Sequence, residues 1–105
     1  MEPSSVKIIR ALNNDVRRAI LASICDNACS VNELAVKLGN NNVDFKSRDS
    51  LYKQLEILVN AGLLEKFYDV EKKAISYKNP VAQVVIDIEK LTVEIRKEEN
   101  KAVRA

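Results

Sequence analysis

Up to residue 62, apolar residues recur at the spacing of one helical face, with polar breaks between the runs. The pattern predicts four helices, whose buried positions are Val6, Ile9 and Leu12; Val16, Ile20 and Ile24; Val31, Leu34, Ala35 and Leu38; and Leu51, Leu55 and Leu58. Residues that commonly cap helices precede these runs, namely Ser4 or Ser5, Asn14, Ser30 and Ser47. Glycines that can end a helix follow the last two runs, at Gly39 and Gly62.

The pattern changes after Gly62. Residues 63–70 and 74–79 are strand-like, and the charged residues 71–73 between them predict a hairpin turn. Asn79 and Pro80 then open a segment in which apolar residues recur at spacings of 3, 4, 3 and 4, at Val81, Val84, Ile88, Leu91 and Ile95. Because this is the seam of a coiled coil, we expect a long helix in residues 80–105.

The helix predicted over residues 47–61 joins a leucine seam to a polar N-terminal end. At 100° per residue, Asp49 and Lys53 lie opposite the seam. In helix-turn-helix proteins, the N-terminal residues of the second helix reach base edges in the major groove. The element order therefore predicts a mainly α fold with a small β-hairpin: a winged helix-turn-helix DNA-binding domain over residues 1–79 and a coiled-coil-like dimerisation helix over 80–105.

Three stretches, RALNNDVRRAILASI, SVNELAVKLG and SLYKQLEILVNAGLLEK, together with the strand pair resemble the small prokaryotic winged-helix transcription regulators of the ArsR type, particularly the short archaeal ones. The resemblance covers roughly residues 5–79. Its most specific part is the pattern of Leu55, Leu58, Ala61, Gly62 and Leu63. It implies a homodimer paired through terminal helices, a recognition helix that reads double-stranded DNA, and a hairpin wing along the DNA backbone.

Carried over residue by residue, the resemblance places the DNA contacts on two elements. On the recognition helix they are Arg48, Asp49, Ser50, Tyr52 and Lys53, and at the wing tip Lys72 and Lys73. The loop before this helix is longer than a tight turn, which adds Lys46 as a contact. The family's metal-sensing members use Cys or His clusters on the recognition or last helix, and this chain has neither there, so we expect no metal-responsive switch.

Several of these side chains have a plain structural alternative. The helix dipole alone favours an acid such as Asp49 in a first turn. Tyr52 can pack against the preceding loop, and the two wing-tip lysines can merely solubilise a hairpin. Arg17 and Arg18 begin a helix, where the dipole disfavours cations, so their use is either phosphate contact or pairing with Asp15 or Asp26.

Composition restricts the chemistry. The 105 residues include 17 basic and 15 acidic side chains, two cysteines and no histidine. Ser/His/Asp and Cys/His machinery is thereby excluded, and so is a four-ligand Cys/His zinc site from one chain. We expect no enzyme, no cofactor and no bound metal. The sequence shows neither a secretion signal nor a membrane-length apolar run, so we expect a cytoplasmic, nucleoid-associated protein.

Cys25 and Cys29 lie between the second and third predicted helices. In a typical cytosol both would be thiols, whereas proteins of hyperthermophiles are an exception. The spacing leaves three alternatives open: a disulfide that closes a small loop, two buried thiols, or a redox sensor.

The resulting functional hypothesis is a homodimeric DNA-binding protein, acting as a transcription regulator or as a less selective chromatin-type binder. Its dimer interface is predicted to consist of the seam positions Val81, Val84, Ile88, Leu91 and Ile95. The alternative is a winged-helix module for protein–protein interaction without direct DNA binding. The net charge of +2 fits that alternative, because residues 1–79 hold 12 basic and 10 acidic side chains and form no strongly basic block.

Overall fold

The computed structural model describes residues 3–25 and 27–97, with side chains from residue 5 onward. The four helices are α1 (Pro3–Leu12), α2 (Asp15–Ile24), α3 (Val31–Asn40) and α4 (Arg48–Asn60). The five strands are β1 (Cys29–Ser30), β2 (Glu65–Asp69), β3 (Ala74–Lys78), β4 (Val81–Asp87) and β5 (Thr92–Lys97). None of the helices in these ranges is long and apolar enough to cross a membrane.

Polar caps begin α2, α3 and α4 as the sequence predicts. The Asn14 side chain accepts from the Arg17 N–H at 3.0 Å, and Ser47 Oγ accepts from the Ser50 N–H at 3.1 Å. A capping box starts α3, because Ser30 Oγ accepts from the N–H of Glu33 while the Glu33 carboxylate accepts from the N–H of Ser30. The prediction for α1 is wrong: the helix already includes residues 4 and 5, so neither serine caps it.

The end of α4 depends on Gly62, as predicted. Gly62 has a φ of +79°, and its N–H donates to the Val59 carbonyl at 3.0 Å. The N–H of Leu63 donates to the Leu58 carbonyl at 3.0 Å, which completes a Schellman motif. A Cβ at position 62 would lie 3.9 Å from Ile95 Cδ1, so the left-handed backbone rather than lack of space requires glycine.

The end of α3 differs from the prediction. Gly39 lies inside the helix, which continues to Asn40, and the left-handed residue is Asn42 with a φ of 59°. The N–H of Val43 donates to the Leu38 carbonyl at 2.9 Å, so α3 also ends in a Schellman motif. Asn takes this conformation more readily than other non-glycine residues, which is why the helix extends to the Asn-rich stretch.

One hydrophobic core joins the helices to the base of the sheet. Within the described ranges, the fully or nearly fully buried side chains are Ile8, Ala11, Ile20, Ile24, Cys29, Val31, Leu34, Ala35, Leu38, Leu51, Leu55, Leu58, Leu63, Leu64 and Tyr77. Most of the predicted helical seam positions are in this set. Leu12 and Val16 are half-buried and pack against it, and Val6 and Ile9 are half-buried.

The sheet has the order β1-β3-β2, and all of its neighbouring strands are antiparallel. The hairpin of β2 and β3 is the predicted wing. Its turn is closed by the Asp69 side chain, which accepts from the N–H groups of Glu71 and Lys72 at 3.0 and 3.2 Å. Lys73 completes the turn with a φ of 53°.

In residues 80–97, the long C-terminal helix predicted for residues 80–105 is not present. Residues 81–97 instead form a second antiparallel hairpin, β4 with β5, and residues 98–105 lie outside the described ranges. This segment is rich in β-branched Val and Ile, which favour strands. Over most of β5, exposed and half-buried residues alternate, as in a strand with one partly covered face.

The seam positions of the predicted coiled coil divide between two environments. Val81, Val84 and Ile95 are half-buried against the core of the same chain. Ile88 and Leu91 lie in the turn between β4 and β5, where they are 77% and 56% exposed. The prediction of a single continuous seam is therefore wrong for this chain.

Candidate nucleic-acid interface

The recognition-helix candidate, α4, is buried along one side and exposed at its N-terminal end. Leu51, Leu55 and Leu58 are each 0% exposed. The helix packs against α1, α2 and α3, which fixes its direction. The predicted contact residues lie at the solvent side of its first two turns: Arg48, Asp49 and Lys53 are exposed, Tyr52 is 48% exposed and Ser50 is half-buried.

Arg48 is held by the neighbouring helix. Its guanidinium donates to the side-chain oxygen of Asn32, in the first turn of α3. Because Asn32 is neutral, this bond orients Arg48 without cancelling its charge. The helix-turn-helix thus presents an oriented cation at the tip of α4.

The loop before α4 places Lys46 beside that tip. Val43 and Phe45 are half-buried and pack against the core, which anchors the loop. The N–H of Lys46 donates to the Asp44 side chain at 2.9 Å, and the residue has a φ of 70°. Its side chain is exposed directly before the cap of α4, next in the chain to the contact residues predicted on that helix.

The two wing lysines have different surroundings. Lys72 Nζ lies 2.7 Å from Glu33 Oε1 and also donates to the Ala28 carbonyl at 3.2 Å. Lys72 therefore joins the wing to the first turn of α3 instead of extending from the tip. Lys73 is exposed and makes no such bond to another described residue.

The Lys72–Glu33 contact changes the titration of both groups. The Lys72 ammonium and the N–H of Ser30 lower the pKa of Glu33 to about 2, and the carboxylate raises the pKa of Lys72. The stability that Glu33 contributes is therefore complete above its ordinary pKa of 4.5 and is lost as pH falls toward about 2. Near neutral pH the pair is fully ionised.

Other basic side chains of the wing are also paired with acids. Lys66 Nζ lies 2.8 Å from Glu56 of α4, and Lys78 Nζ lies 3.4 Å from Glu65. In the described part of the surface formed by α4, its preceding loop and the wing, the cations without an ion pair are Arg48, Lys46, Lys53 and Lys73. Three of these four cations lie at or near the start of α4, where the exposed acids Asp44 and Asp49 lie beside them.

The wing also exposes apolar side chains that the sequence analysis did not identify. Tyr68 and Ile75 face each other across β2 and β3 and are 57% and 44% exposed. They share a face of the wing with Lys66, whose ammonium contacts Glu56 of α4. The alternation of residues along a strand shows which side chains share a face. It does not show which of them, near the tip of the wing, extend beyond the core and stay exposed.

Arg17 has a structural role that the sequence alternatives did not include. Its guanidinium donates to the Ala11 carbonyl at 2.7 Å, to the Arg10 carbonyl at 2.9 Å and to Gln54 Oε1 at 2.7 Å. A cation at the carboxyl end of α1 is favoured by the helix dipole, which outweighs its unfavourable position at the start of α2. Arg17 thereby connects α1, α2 and α4.

Arg18 follows one of the two predicted alternatives. It pairs with Asp15 and donates to the Leu12 carbonyl at 2.6 Å. Both of its contacts lie at the junction of α1 and α2, and the side chain is exposed. The second predicted partner, Asp26, lies outside the described residues.

The structure contains no disulfide between Cys25 and Cys29. Cys25 is exposed at the end of α2, whereas Cys29 is buried in β1, opposite Tyr77 of β3. The disulfide alternative is therefore not seen in this structure, in which the Cys29 side chain is 2% exposed. Within residues 3–25 and 27–97, no group of three or more Cys, Asp or Glu side chains is placed to hold a metal ion.

No family model and no curated protein matches the sequence. Solved structures do match. HlyU from Vibrio cholerae N16961 is 27% identical with a TM-score of 0.59, covering 75% of this chain and 80% of that chain. Reduced HlyU from the same organism is 26% identical with a TM-score of 0.58, covering 72% of each chain.

NolR from Sinorhizobium fredii has the same fold. It is 22% identical with a TM-score of 0.61, and the match covers 78% of this chain and 81% of that chain. The chain therefore resembles winged-helix regulators: four helices and a β-hairpin wing, with α3 and α4 as the helix-turn-helix pair.

Proposed function

We propose that the chain is a homodimeric, double-stranded DNA-binding transcription regulator of the ArsR type. The observation that carries the proposal is the one-sided burial of α4, whose leucine seam is 0% exposed while Arg48 and Lys53 face solvent. A helix held along one side and exposed at its N-terminal end is the arrangement that reaches base edges in the major groove. HlyU, a winged-helix transcription regulator, supports the regulatory role.

The exposed groups divide between two tasks. Lysine ammonium groups bind backbone phosphate and supply sequence-independent affinity, and this task falls to Lys46, Lys53 and Lys73. Base recognition falls to Arg48, which matches guanine, and to Asp49, which can accept from cytosine N4. The wing approaches the flanking backbone through Lys73.

Binding to a mixed-sequence duplex tests the proposal. Fluorescence anisotropy between about 50 and 200 mM salt should show affinity that falls steeply with salt, as phosphate contacts require. Replacing Lys53 by alanine should weaken binding and reduce the slope of log K against log salt by about 0.9, the value for one lost phosphate contact.

A matched control is available at the other end of α4. Lys7 is an exposed lysine that borders a groove with Asn60 and Ala61. These residues lie about 18 Å along the helix from Arg48, from a rise of 1.5 Å per residue. Lys7→Ala should therefore leave the slope unchanged. A wild-type chain that does not bind duplex even at low salt contradicts the proposal.

The proposed homodimer uses the turn of the β4–β5 hairpin. Of the predicted interface, Ile88 and Leu91 remain exposed, and Ile86 beside them is 46% exposed. Val81, Val84 and Ile95, toward the other end of the hairpin, pack against the core of the same chain. A cluster of exposed apolar side chains favours burial against another surface.

Sedimentation velocity tests this interface. Ile88→Lys should shift the chain from dimer to monomer, because it places a charge in the contact. Val70 is the matched control, since it is 76% exposed at the wing tip against 77% for Ile88. Val70→Lys should leave the dimer intact. A monomeric wild-type chain, or an unchanged Ile88→Lys dimer, would show that the hairpin turn is not the interface.

The protein-interaction alternative is favoured by one observation, the exposed pair of Tyr68 and Ile75 beside ion-paired lysines. Such a surface suits an apolar protein segment better than a phosphate backbone. The duplex titration distinguishes the two functions, because a protein-interaction module would show no salt-dependent affinity for DNA.

A further inference from the structure

The first turn of α3 holds two cations of the candidate interface in different ways. Asn32 accepts from Arg48 of α4, and the neighbouring Glu33 accepts from Lys72 of the wing. The neutral amide leaves the charge of Arg48 available. The carboxylate forms an ion pair with Lys72 and offsets its charge. One turn of α3 therefore leaves the Arg48 cation available to a ligand and holds the Lys72 cation in an ion pair.

The Glu33 carboxylate is fixed before any ligand arrives. It accepts from the N–H of Ser30 at 3.0 Å as part of the capping box, which sets its position at the start of α3. Lys72 is fixed as well, because its own N–H donates to Asp69 and its ammonium also contacts the Ala28 carbonyl at 3.2 Å. Neither side chain needs to reorganise to form the pair.

We propose that Glu33 is a specificity-determining residue that occupies Lys72 in place of a DNA phosphate. This inference rests on the proposed DNA-binding function. A carboxylate and a phosphate oxygen both accept from an ammonium group, so they compete for the same cation. With Lys72 occupied, the wing adds less sequence-independent affinity, and the base contacts of α4 decide more of the binding.

The pair is also weak enough to be exchanged. The side chains of Lys72 and Glu33 are 35% and 47% exposed, and exposed ion pairs are screened by solvent and salt. Glu33 therefore reduces the phosphate contact of the wing without forming a permanent block.

Glu33→Gln isolates the charge from the cap, because glutamine at this position also completes a capping box. We expect affinity for a mixed-sequence duplex to rise about two- to fivefold, the scale of a released surface ion pair. The slope of log K against log salt should steepen by about 0.9, because one more phosphate is neutralised. The affinity ratio between a duplex selected from a random pool and the mixed-sequence duplex should fall.

A double-mutant cycle tests whether Glu33 affects DNA binding through Lys72. In a Lys72→Ala background, Glu33→Gln should change neither affinity nor slope. If the rise persists there, Glu33 repels DNA directly, and the proposal is overturned. Lys72→Ala alone should reduce the slope by less than Lys53→Ala does, because Lys72 is already occupied; an equal reduction also overturns it.

Glu65→Gln controls for net charge. It removes the same charge from an acid paired with Lys78, on the face of β2 turned away from α4. We expect it to leave the slope unchanged. Two failures can be told apart. If the wild-type chain binds duplex and Glu33→Gln does not change that binding, this inference alone is overturned. If the wild-type chain does not bind duplex, the DNA-binding function on which the inference rests is overturned.

Discussion

Replacing Leu55 by alanine should destabilise the fold by about 2–5 kcal/mol, the range for buried leucine-to-alanine changes. Leu55 is 0% exposed at the middle of the α4 seam, between Leu51 and Leu58. Its removal leaves a cavity where α4 packs against α2 and α3, and the packed core can close it only in part. The same change loosens the support on which the tip of α4 depends.

Urea denaturation followed by circular dichroism measures the effect as a lower midpoint with an unchanged m-value. Ile57 is the control on the same helix, because it is 40% exposed. Ile57→Ala should cost less than Leu55→Ala, since 40% of the Ile57 surface is already in water in the folded chain. Equal losses for the two variants would mean that α4 is not anchored by its leucine seam.

Arg17→Ala should destabilise the chain by about 2 kcal/mol, the scale of hydrogen bonds made by a charged group. The change removes the side-chain bonds to the Ala11 and Arg10 carbonyls near the end of α1 and the bond to Gln54 of α4. Because Arg17 connects three helices, α1 should also unfold less cooperatively with α2 and α4 once this side chain is removed.

Arg18→Ala is the matched comparison, one residue along the same helix. Arg18 is exposed, and its ion pair with Asp15 lies at the surface, so we expect a loss of about 0.5 kcal/mol. Thermal unfolding of the two variants in parallel measures the difference. If Arg18→Ala lowers the free energy of unfolding as much as Arg17→Ala does, the bonds of Arg17 to α1 and α4 do not account for its contribution to stability.

The helical part of the fold follows closely from local sequence rules. Asn14, Ser30 and Ser47 cap helices because their side chains satisfy N–H groups within three residues. Gly62 ends α4 because a left-handed residue is needed there. These interactions are short-range, so a single sequence contains the information that determines them.

The C-terminal segment shows where periodicity is insufficient. Apolar spacings of 3 and 4 over two heptads predict a helical seam, yet the same residues form cross-strand pairs such as Val84 with Ile95. Hairpin formation lets Val84, Val93 and Ile95 cover the open side of the core. Tertiary burial therefore outweighs the periodic pattern, and neither pattern nor propensity alone reveals that the core needs a cover.

The candidate site was predictable in position but not in its charges. The exposed tip of α4 follows from the leucine seam and the helical repeat. The pairing of Lys72 with Glu33 joins residues 39 apart, and that of Arg48 with Asn32 joins residues 16 apart. Such contacts depend on how α3, α4 and the wing pack, which the order of residues along the chain does not specify.

The central claim is that the tip of α4 contacts duplex DNA. Amide chemical shifts of the ¹⁵N-labelled chain, recorded with and without a mixed-sequence duplex, test it most directly. We expect the largest changes at residues 46–53 and at Lys73, with little change in α1 or at the turn between β4 and β5. Unchanged shifts at residues 46–53 alongside large changes elsewhere, or no changes at all, would contradict the claim.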